Sequence, residues 1–287
     1  MTEITESVVR GLDEREYHAA AGLSATGMKW LLRSPKHYRQ MMDQRVEKAA
    51  FDLGHAVHGK VLGVGLDVAV IPEDILASNG AASTKEAKAF IAAARAEGLV
   101  PVKADVLTQV GAIAEAVLAN PKARTLLSLD GDTELSIFAD DPDTGVPLRG
   151  RLDRLGELSS GRLVNIDLKT TSDVRRHKII RTIEDFGYDI QSEVYKHLIR
   201  LTHKEDVAPT HLIFVEVDPP HDVRVVQLAH EDWVDGGQRK MRRAIDIYDH
   251  CTATGLWLGD DDTPGPAEAI EPRPYYLDNL DEEEMVI

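Results

Sequence analysis

The pattern of apolar and polar positions changes period along the chain and predicts helices grouped around a sheet. Apolar residues recur at helical spacing in four segments of the N-terminal half, at 24–34, 49–62, 84–97 and 103–119. Alternation typical of strands follows in five segments, at 133–139, 148–155, 163–168, 211–217 and 223–228. Further helices are predicted at 183–201 and at 232–254, the last one interrupted by Gly236-Gly237. Helices flanking a central mixed sheet define an α/β fold class.

Side chains with metal-binding and catalytic chemistry fall at the ends of two consecutive predicted strands. Asp153 lies near the end of one strand and Asp167 near the end of the next, across a short polar turn. If these strands pair as a hairpin, the two carboxylates form a site for a hard divalent cation such as Mg²⁺. Because side chains alternate with a period of two, Lys169 points to the same side as Asp167, whereas Ile166 and Leu168 point into the core. This combination is what phosphodiester hydrolysis needs.

Two predicted helices carry further polar candidates. The segment Gly54-His55-Ala56-Val57-His58 places two histidines in the second helix. Gln191 and Tyr195 stand at positions i and i+4 of the helix 183–201, so their side chains share one face. A lone histidine or tyrosine in a helix is commonly a packing residue. The order of the motifs therefore carries more information than any one of them.

The motif order His, Asp, Asp-x-Lys and Gln-x-x-x-Tyr resembles the RecB-type branch of the PD-(D/E)XK nucleases. Within that branch the chain is most similar to the RecE (exonuclease VIII) group of phage-type double-strand DNA exonucleases. The segment LSATGMKWLLRSPKHY also resembles the N-terminal region of that group, so the resemblance extends from about residue 23 to about residue 217. It implies a restriction-endonuclease-like core, in which helices flank a central mixed β-sheet.

The resemblance implies that three side chains and one backbone group bind metal. Asp153, Asp167 and His58 would be the side-chain ligands, and the backbone carbonyl of Leu168 would be the fourth group. The family pattern, a glycine followed by three residues and then histidine, selects His58 over His55. The implied cofactor is Mg²⁺, for which Mn²⁺ can substitute, with two ions in the site.

The remaining candidates would assist catalysis or contact DNA. Lys169 would act with Asp153 and Asp167 by holding the attacking water and offsetting charge on the phosphate. Glu134 begins the strand before Asp153 and is a candidate outer carboxylate, with a solvent-facing residue as the equal alternative. DNA contacts are expected from four residues, namely Gln191, Tyr195, Thr170 and Thr171.

The resemblance also implies an activity and partners. The chain would hydrolyse linear double-stranded DNA in a Mg²⁺-dependent, 5′-to-3′ direction and leave a 3′ overhang for recombination. Its partners would be DNA ends, a single-strand annealing protein and further copies of itself in a closed ring. The alternatives are a single-strand exonuclease, an endonuclease, a hydrolase of small phosphate esters, and a non-catalytic module of the same fold that binds DNA ends or protein.

Charge and cysteine content narrow the possible classes. The net charge of −16 is unusual for a nucleic-acid-binding protein, so positive charge must be concentrated locally, as it is at 29–39 and 175–181. The single cysteine, Cys251, excludes a disulfide framework within the chain. It also excludes the four-cysteine iron–sulfur clusters that some RecB-type nucleases hold.

The expected organisation is one nuclease domain followed by a tail. The domain would cover 1–259 and include a helical N-terminal region, and the tail over 260–287 is acidic and contains proline. No apolar run in the sequence approaches the length of a membrane span. A cytoplasmic location without membrane contact is therefore expected.

Overall fold

A six-stranded sheet is the centre of the computed structural model, which describes residues 7–43, 53–63, 68–97 and 99–272. The strands are β1 (Ser7–Val9), β2 (Val68–Val70), β3 (Val100–Val102), β4 (Gly131–Asp140), β5 (Pro147–Glu157), β6 (Leu163–Thr171), β7 (His211–Glu216) and β8 (Val223–Gln227). The large sheet has the order β1-β4-β5-β6-β7-β8, and β2 and β3 form a separate parallel pair. Within the large sheet β6 and β7 are parallel and the other neighbours antiparallel. The predicted mixed sheet is thus confirmed.

Several helices begin at a residue whose side chain caps the first turn. The helices are α1 (Glu14–Ala19), α2 (Ala25–Arg33), α3 (Pro35–Asp43), α4 (Leu53–Leu62), α5 (Lys85–Ala96), α6 (Ala104–Ala119), α7 (Pro121–Leu127), α8 (Arg176–Phe186), α9 (Tyr188–His203) and α10 (Glu231–Thr254). The Oγ atom of Ser24 accepts a hydrogen bond from the backbone N–H of Gly27 and so caps α2, as predicted. Asn120 caps α7 in the same way, with Pro121 in the first turn.

Helices cover both faces of the sheet, which fixes the α/β class. Apolar side chains of α2, α9 and α10 pack against β4 and β5 in one buried cluster. Those of α4, α6 and α7 pack against β6 and β7 in a second cluster, which contains Ile166 and Leu168 as predicted. Each fully buried aliphatic side chain contributes about 1.5–3 kcal/mol to folding. The described helices include none that is both long and apolar enough to cross a bilayer.

The segment predicted as one helix over 183–201 is two helices in the structure. Gly187 ends α8 and precedes α9, and its backbone is left-handed, with φ of +62°. A side chain in that conformation would be strained, and a Cβ atom at Gly187 would approach Lys29 to 2.8 Å. The prediction of a single helix was wrong because the apolar period continues across this glycine. The break separates α8 from α9, and Gln191 in the first turn of α9 contacts Asp167 of β6.

The predicted interruption of the last helix at Gly236-Gly237 is also wrong, since α10 is continuous through both glycines. A Cβ atom added to Gly237 would come within 2.6 Å of the carbonyl oxygen of Asp189 and 2.8 Å of Glu193 Cγ. Gly236, by contrast, has nothing within 4 Å of the corresponding position. Gly237 therefore permits the close approach of α10 to α9, and the pair of glycines does not break the helix.

The two neighbouring glycines offer a matched test of this packing. Gly237→Ala should lower the free energy of unfolding by about 1–3 kcal/mol, because the added methyl group overlaps the backbone of α9. Gly236→Ala should raise it by about 0.5–1 kcal/mol, because alanine has a higher helix propensity than glycine and the added methyl group meets no atom within 4 Å. Chemical denaturation of both variants checks this. Equal effects of the two substitutions would contradict the proposed role of Gly237.

The segment after α10 begins against the folded core. The indole of Trp257 stacks on Tyr38, with ring centroids 5.5 Å apart. The carboxylate of Asp262 accepts hydrogen bonds from the Lys36 ammonium and from the backbone N–H of Gly259. The start of the predicted acidic tail thus contacts α3, and the domain boundary at 260 stays a prediction. Residues 273–287 of that tail lie outside the described residues.

Candidate active site

Asp153 and Asp167 meet where the β5–β6 ladder ends. The last described pair of that ladder is Arg154 with Ile166, so Asp153 and Asp167 stand one step beyond it. The Asp153 carboxylate accepts a hydrogen bond of 2.8 Å from the backbone N–H of Leu168. In a strand the N–H and C=O of one residue point to the same side, so the Leu168 carbonyl also faces this edge. The two predicted carboxylates therefore occupy one small region.

The backbone beside Asp153 is strained. Glu134, which stands opposite Asp153 on β4, has a left-handed φ of +49°, and the β4–β5 pairing omits it between two regular pairs. Its carboxylate is directed to Arg151, with Oε2 and Nε 2.6 Å apart. Strain of this kind in a non-glycine residue costs about 1–3 kcal/mol and is concentrated at functional sites. The structure thus places Glu134 next to Asp153 in the sheet but pairs its carboxylate with an arginine.

His58 is brought from α4 to Asp153. Its Nδ1 atom lies 3.3 Å from Asp153 Oδ2, and both side chains are largely buried. Burial alone would lower the pKa of His58, but the Asp153 carboxylate outweighs it and raises that pKa to about 9. Burial acts to raise the pKa of Asp153, whereas the His58 charge lowers it overall. His58 and Asp153 therefore form an ion pair at neutral pH. The side chain of His55 lies outside the described part of the structure.

Lys169 neutralises the second carboxylate. Its Nζ atom lies 2.6 Å from Asp167 Oδ2, and Asp167 is only 1% exposed. Burial raises the pKa of Asp167 to about 6, with Lys169 opposing the shift and Asp153 adding to it. The pKa of Lys169 is raised: burial would lower it, but the two aspartates outweigh burial. Lys169 is therefore an ammonium ion at neutral pH, and it lies on the same side of β6 as Asp167, as predicted.

The Gln-x-x-x-Tyr pair of α9 reaches the same carboxylate. Gln191 Nε2 donates to Asp167 Oδ1 over 3.2 Å and also lies 3.1 Å from the Tyr195 hydroxyl oxygen. Tyr195 is only 8% exposed, and its ring packs against Gly150. Tyr195 therefore supports Gln191 from the protein interior. Its contact with DNA stays a prediction.

The two threonines after the lysine differ in direction. Thr171 lies on the same side of β6 as Asp167 and Lys169, and Thr170 lies on the opposite side, because strand side chains alternate. The Thr171 hydroxyl interacts with the backbone of Asp173 at 3.4 Å and so shapes the turn after β6. Of the pair, Thr171 is the one on the Lys169 side of the strand, and contact of either threonine with DNA stays a prediction.

Two residues that sequence reasoning did not assign to the site also contact it. The Lys169 ammonium lies 4.5 Å from the ring centroid of Tyr188, in a cation–π contact. Lys29 of α2 donates to the backbone carbonyl of Phe186 over 2.7 Å, and its pKa is lowered by burial and by the Lys169 charge. Two features of the sequence indicate these contacts. Tyr188 and Gln191 are three residues apart and so share one helix face, and Lys29 belongs to the cluster of basic residues at 29–39.

The donor set suits a hard divalent cation in its chemistry. Carboxylate and carbonyl oxygens are the ligands that suit Mg²⁺ and Mn²⁺, whereas imidazole more often binds later transition metals. The two buried carboxylates carry negative charge that a cation would neutralise. Among the described residues, no three His, Cys, Asp or Glu side chains already converge as a metal cage. Asp153 and Asp167 are instead neutralised by His58 and Lys169. Metal ligation by His58 requires its neutral imidazole, so metal binding would release a proton.

A mixed sheet with helices on both faces, and two acids with a lysine on adjacent strands, defines a PD-(D/E)XK-type α/β domain. The family model of the PDDEXK-like domain of unknown function (DUF3799) matches residues 24–261, which is most of the chain. The chain belongs to this family. No curated protein sequence matches it.

Solved structures share this fold at low sequence identity. The crystal structure of a "putative exonuclease" from Eubacterium rectale is 13% identical and aligns with a TM-score of 0.53, covering 84% of this chain and 88% of that one. The crystal structure of SSO0001 is also 13% identical, with a TM-score of 0.32 over 67% of this chain and 85% of that one. At such identities the likeness concerns the fold alone, and only the first alignment carries weight.

Proposed function

We propose that the protein is a Mg²⁺-dependent deoxyribonuclease that hydrolyses phosphodiester bonds at the ends of linear double-stranded DNA. Membership of a PDDEXK-like family supports a nuclease in general. The similar fold from Eubacterium rectale bears the description "putative exonuclease". The observation that carries the proposal is the meeting of His58, Asp153, Asp167 and Lys169 from three separate elements.

The residues of the chain have distinct tasks in this proposal. Asp153, Asp167, His58 and the Leu168 carbonyl would hold Mg²⁺ or Mn²⁺, in one or two ions. When bound, the metal would polarise the phosphate and lower the pKa of its water. The backbone N–H of Leu168 holds the Asp153 carboxylate at the strand end, which limits its rotation before substrate arrives. This preorganisation spares reorganisation during the reaction.

Lys169 and Gln191 complete the arrangement. The Lys169 ammonium stays protonated beside two carboxylates and can donate hydrogen bonds to the attacking water and to charge that develops on the phosphate. Gln191 fixes the Asp167 carboxylate through one amide hydrogen and is itself fixed by Tyr195. The burial of Asp167 and Tyr195 keeps bulk water out of the site's floor and strengthens these electrostatic contacts.

The finer assignment follows the RecE-like motif order. In this proposal the enzyme degrades one strand from its 5′ end, leaves a 3′ overhang, and supplies it to a single-strand annealing protein in the cytoplasm. A closed ring of identical subunits reconciles the net charge of −16 with DNA binding, because basic residues would line the central channel and acidic ones the outside.

Digestion of labelled DNA tests the proposal. The substrates are linear duplexes labelled at either the 5′ or the 3′ end and a covalently closed circle, each incubated with Mg²⁺ or with a chelator. We expect mononucleotide release from the 5′ label, only with metal, and survival of the circle.

Each other outcome has a distinct meaning. First release from the 3′ label would reverse the polarity, and cutting of the circle would make the protein an endonuclease. Retained DNA binding without hydrolysis in Mg²⁺ or Mn²⁺ would overturn the enzyme assignment in favour of a binding module.

A further inference from the structure

Phe186 is an exposed aromatic side chain at the edge of the candidate active site. It is 58% exposed, and every other Phe, Tyr or Trp in the described ranges is buried or half-buried. A single exposed apolar residue needs no functional explanation by itself. The neighbours of Phe186 distinguish it, because they connect its ring to Lys169.

Two aromatic rings form a stack that leads from solvent to the catalytic lysine. The rings of Phe186 and Tyr188 lie 5.8 Å apart at their centroids with an angle of only 19° between their planes. The Lys169 ammonium lies 4.5 Å from the centroid of the Tyr188 ring. Tyr188 in turn packs against the buried Phe214 of β7. The inner ring of the stack is thus held by the core and the outer ring is open.

The backbone around the stack is fixed as well. The left-handed Gly187 separates the two aromatic residues, so they come together where a continuous helix would place them apart. Lys29 crosses this turn and donates to the Phe186 carbonyl. The outer ring is therefore presented by a constrained turn, which reduces the entropy lost when a planar ligand stacks on it.

From this geometry we propose that Phe186 and Tyr188 form a stacking platform for a nucleobase of the DNA strand next to the scissile phosphate. The inference rests on the proposed nuclease function and names how the substrate is held. A base has a flat π-face that matches the Phe186 ring, and its phosphate carries the charge that Lys169 and Lys29 attract. A protein partner is disfavoured, because one exposed ring offers too little apolar area.

Stacking on this platform would hold DNA without reading its sequence. Stacking on an aromatic side chain contributes about 1–3 kcal/mol per base, and all bases can stack. The platform therefore predicts that kcat/KM depends strongly on whether a base is present and weakly on which base it is. It also predicts that the base next to the scissile phosphate leaves the duplex stack when it enters the site, since both faces of an internal base are covered by its neighbours.

A double-mutant cycle between protein and DNA tests the platform. The four combinations pair wild type or Phe186→Ala with duplexes that carry normal nucleotides or abasic sites at the two terminal positions of the strand. We expect Phe186→Ala to lower kcat/KM for normal DNA about 5- to 150-fold, which corresponds to the stacking energy of one base. The abasic duplex should cause a similar loss with wild type and little further loss with Phe186→Ala.

Two further variants control for general effects. Phe186→Tyr restores an aromatic ring at this position and should recover most of the rate that Phe186→Ala loses. Leu256→Ala removes an apolar side chain of nearly equal exposure, 55%, from a segment outside the α8–α9 turn and should change nothing. Thermal melting establishes that each variant is folded.

The two proposals fail in distinguishable ways. If the losses from Phe186→Ala and from the abasic ends multiply independently, the platform is overturned, whereas hydrolysis by wild type keeps the nuclease. If wild type hydrolyses no DNA, the same cycle is measured by DNA binding. Coupling between Phe186→Ala and the abasic ends in DNA binding would then support the platform without nuclease activity. The absence of such coupling would overturn both proposals.

Discussion

Replacing Lys169 with methionine should lower the rate of DNA hydrolysis about 100- to 1,000-fold, the usual effect of removing one preorganised donor from a site that stabilises developing charge. Methionine keeps the apolar stem against Tyr188 but removes the ammonium group that pairs with Asp167. The single-turnover rate on a linear duplex measures the effect directly. DNA affinity should change much less, because Lys169 supplies only one of the positive charges near the site.

Folding and metal binding serve as controls for this variant. The far-ultraviolet circular dichroism and the cooperativity of unfolding should match wild type. Binding of Mn²⁺ should persist, since both carboxylates remain. A Lys169→Met enzyme within tenfold of the wild-type rate would remove Lys169 from the catalytic groups and leave the carboxylates alone responsible.

The same substitution at two equally buried aspartates should change stability in opposite directions. Asp167→Asn should raise the free energy of unfolding of the metal-free protein by about 1–3 kcal/mol, because the pKa of about 6 means that its charge is disfavoured in the fold. Asp141→Asn should lower it by about 1–3 kcal/mol. Asp141 is 1% exposed, and its carboxylate accepts two hydrogen bonds of 3.0 Å from the Arg242 guanidinium, which lowers its pKa against the effect of burial.

Activity separates the pair further. Asp167→Asn should abolish hydrolysis and remove the rise in melting temperature that we expect Mn²⁺ to give wild type, because the proposed metal ligand has lost its charge. Asp141→Asn should leave both intact, since Asp141 anchors the β4–β5 turn to α10. Destabilisation of the metal-free protein by Asp167→Asn, or retained Mn²⁺ binding, would contradict this assignment.

The direction in which the stability of the metal-free protein changes with pH follows from the charge of Asp167. Above a pH of about 6 the folded protein holds Asp167 ionised at a cost. As the pH falls from 7 towards 5, the folded state takes up a proton that the unfolded state does not yet bind, so this group makes the metal-free protein more stable. Asp141 has a lowered pKa, and its stabilising contribution is therefore lost only at lower pH. Denaturation curves at pH 5 and 7 for wild type and Asp167→Asn isolate the first effect.

Much of the candidate site follows from local sequence rules. The alternation of a strand places Asp167 and Lys169 on one side and Leu168 on the other, and the structure agrees. The i to i+4 relation in a helix brings Gln191 to Tyr195, and their side chains are in contact. These relations depend only on backbone periodicity, which a single segment carries in itself.

Other features depend on neighbours that a segment does not specify. The contact of Tyr188 with Lys169 requires the left-handed turn at Gly187, and the apolar period gives no sign of that turn. Glu134 has an unusual backbone and pairs with Arg151. The sequence predicted an outer carboxylate near the metals and a solvent-facing residue as equal alternatives.

The sequence by itself determined the α/β class, most strands and helices, and the identity of the acids and the lysine, because these follow from periodicity, capping residues and motif order. Only the tertiary structure decided which charge pairs with which. His58 meets Asp153, Lys169 meets Asp167, and Gly237 admits α9 to α10 through contacts between elements far apart in the chain. Such contacts depend on the mutual packing of elements and on the burial it produces, which sets the charge of each group.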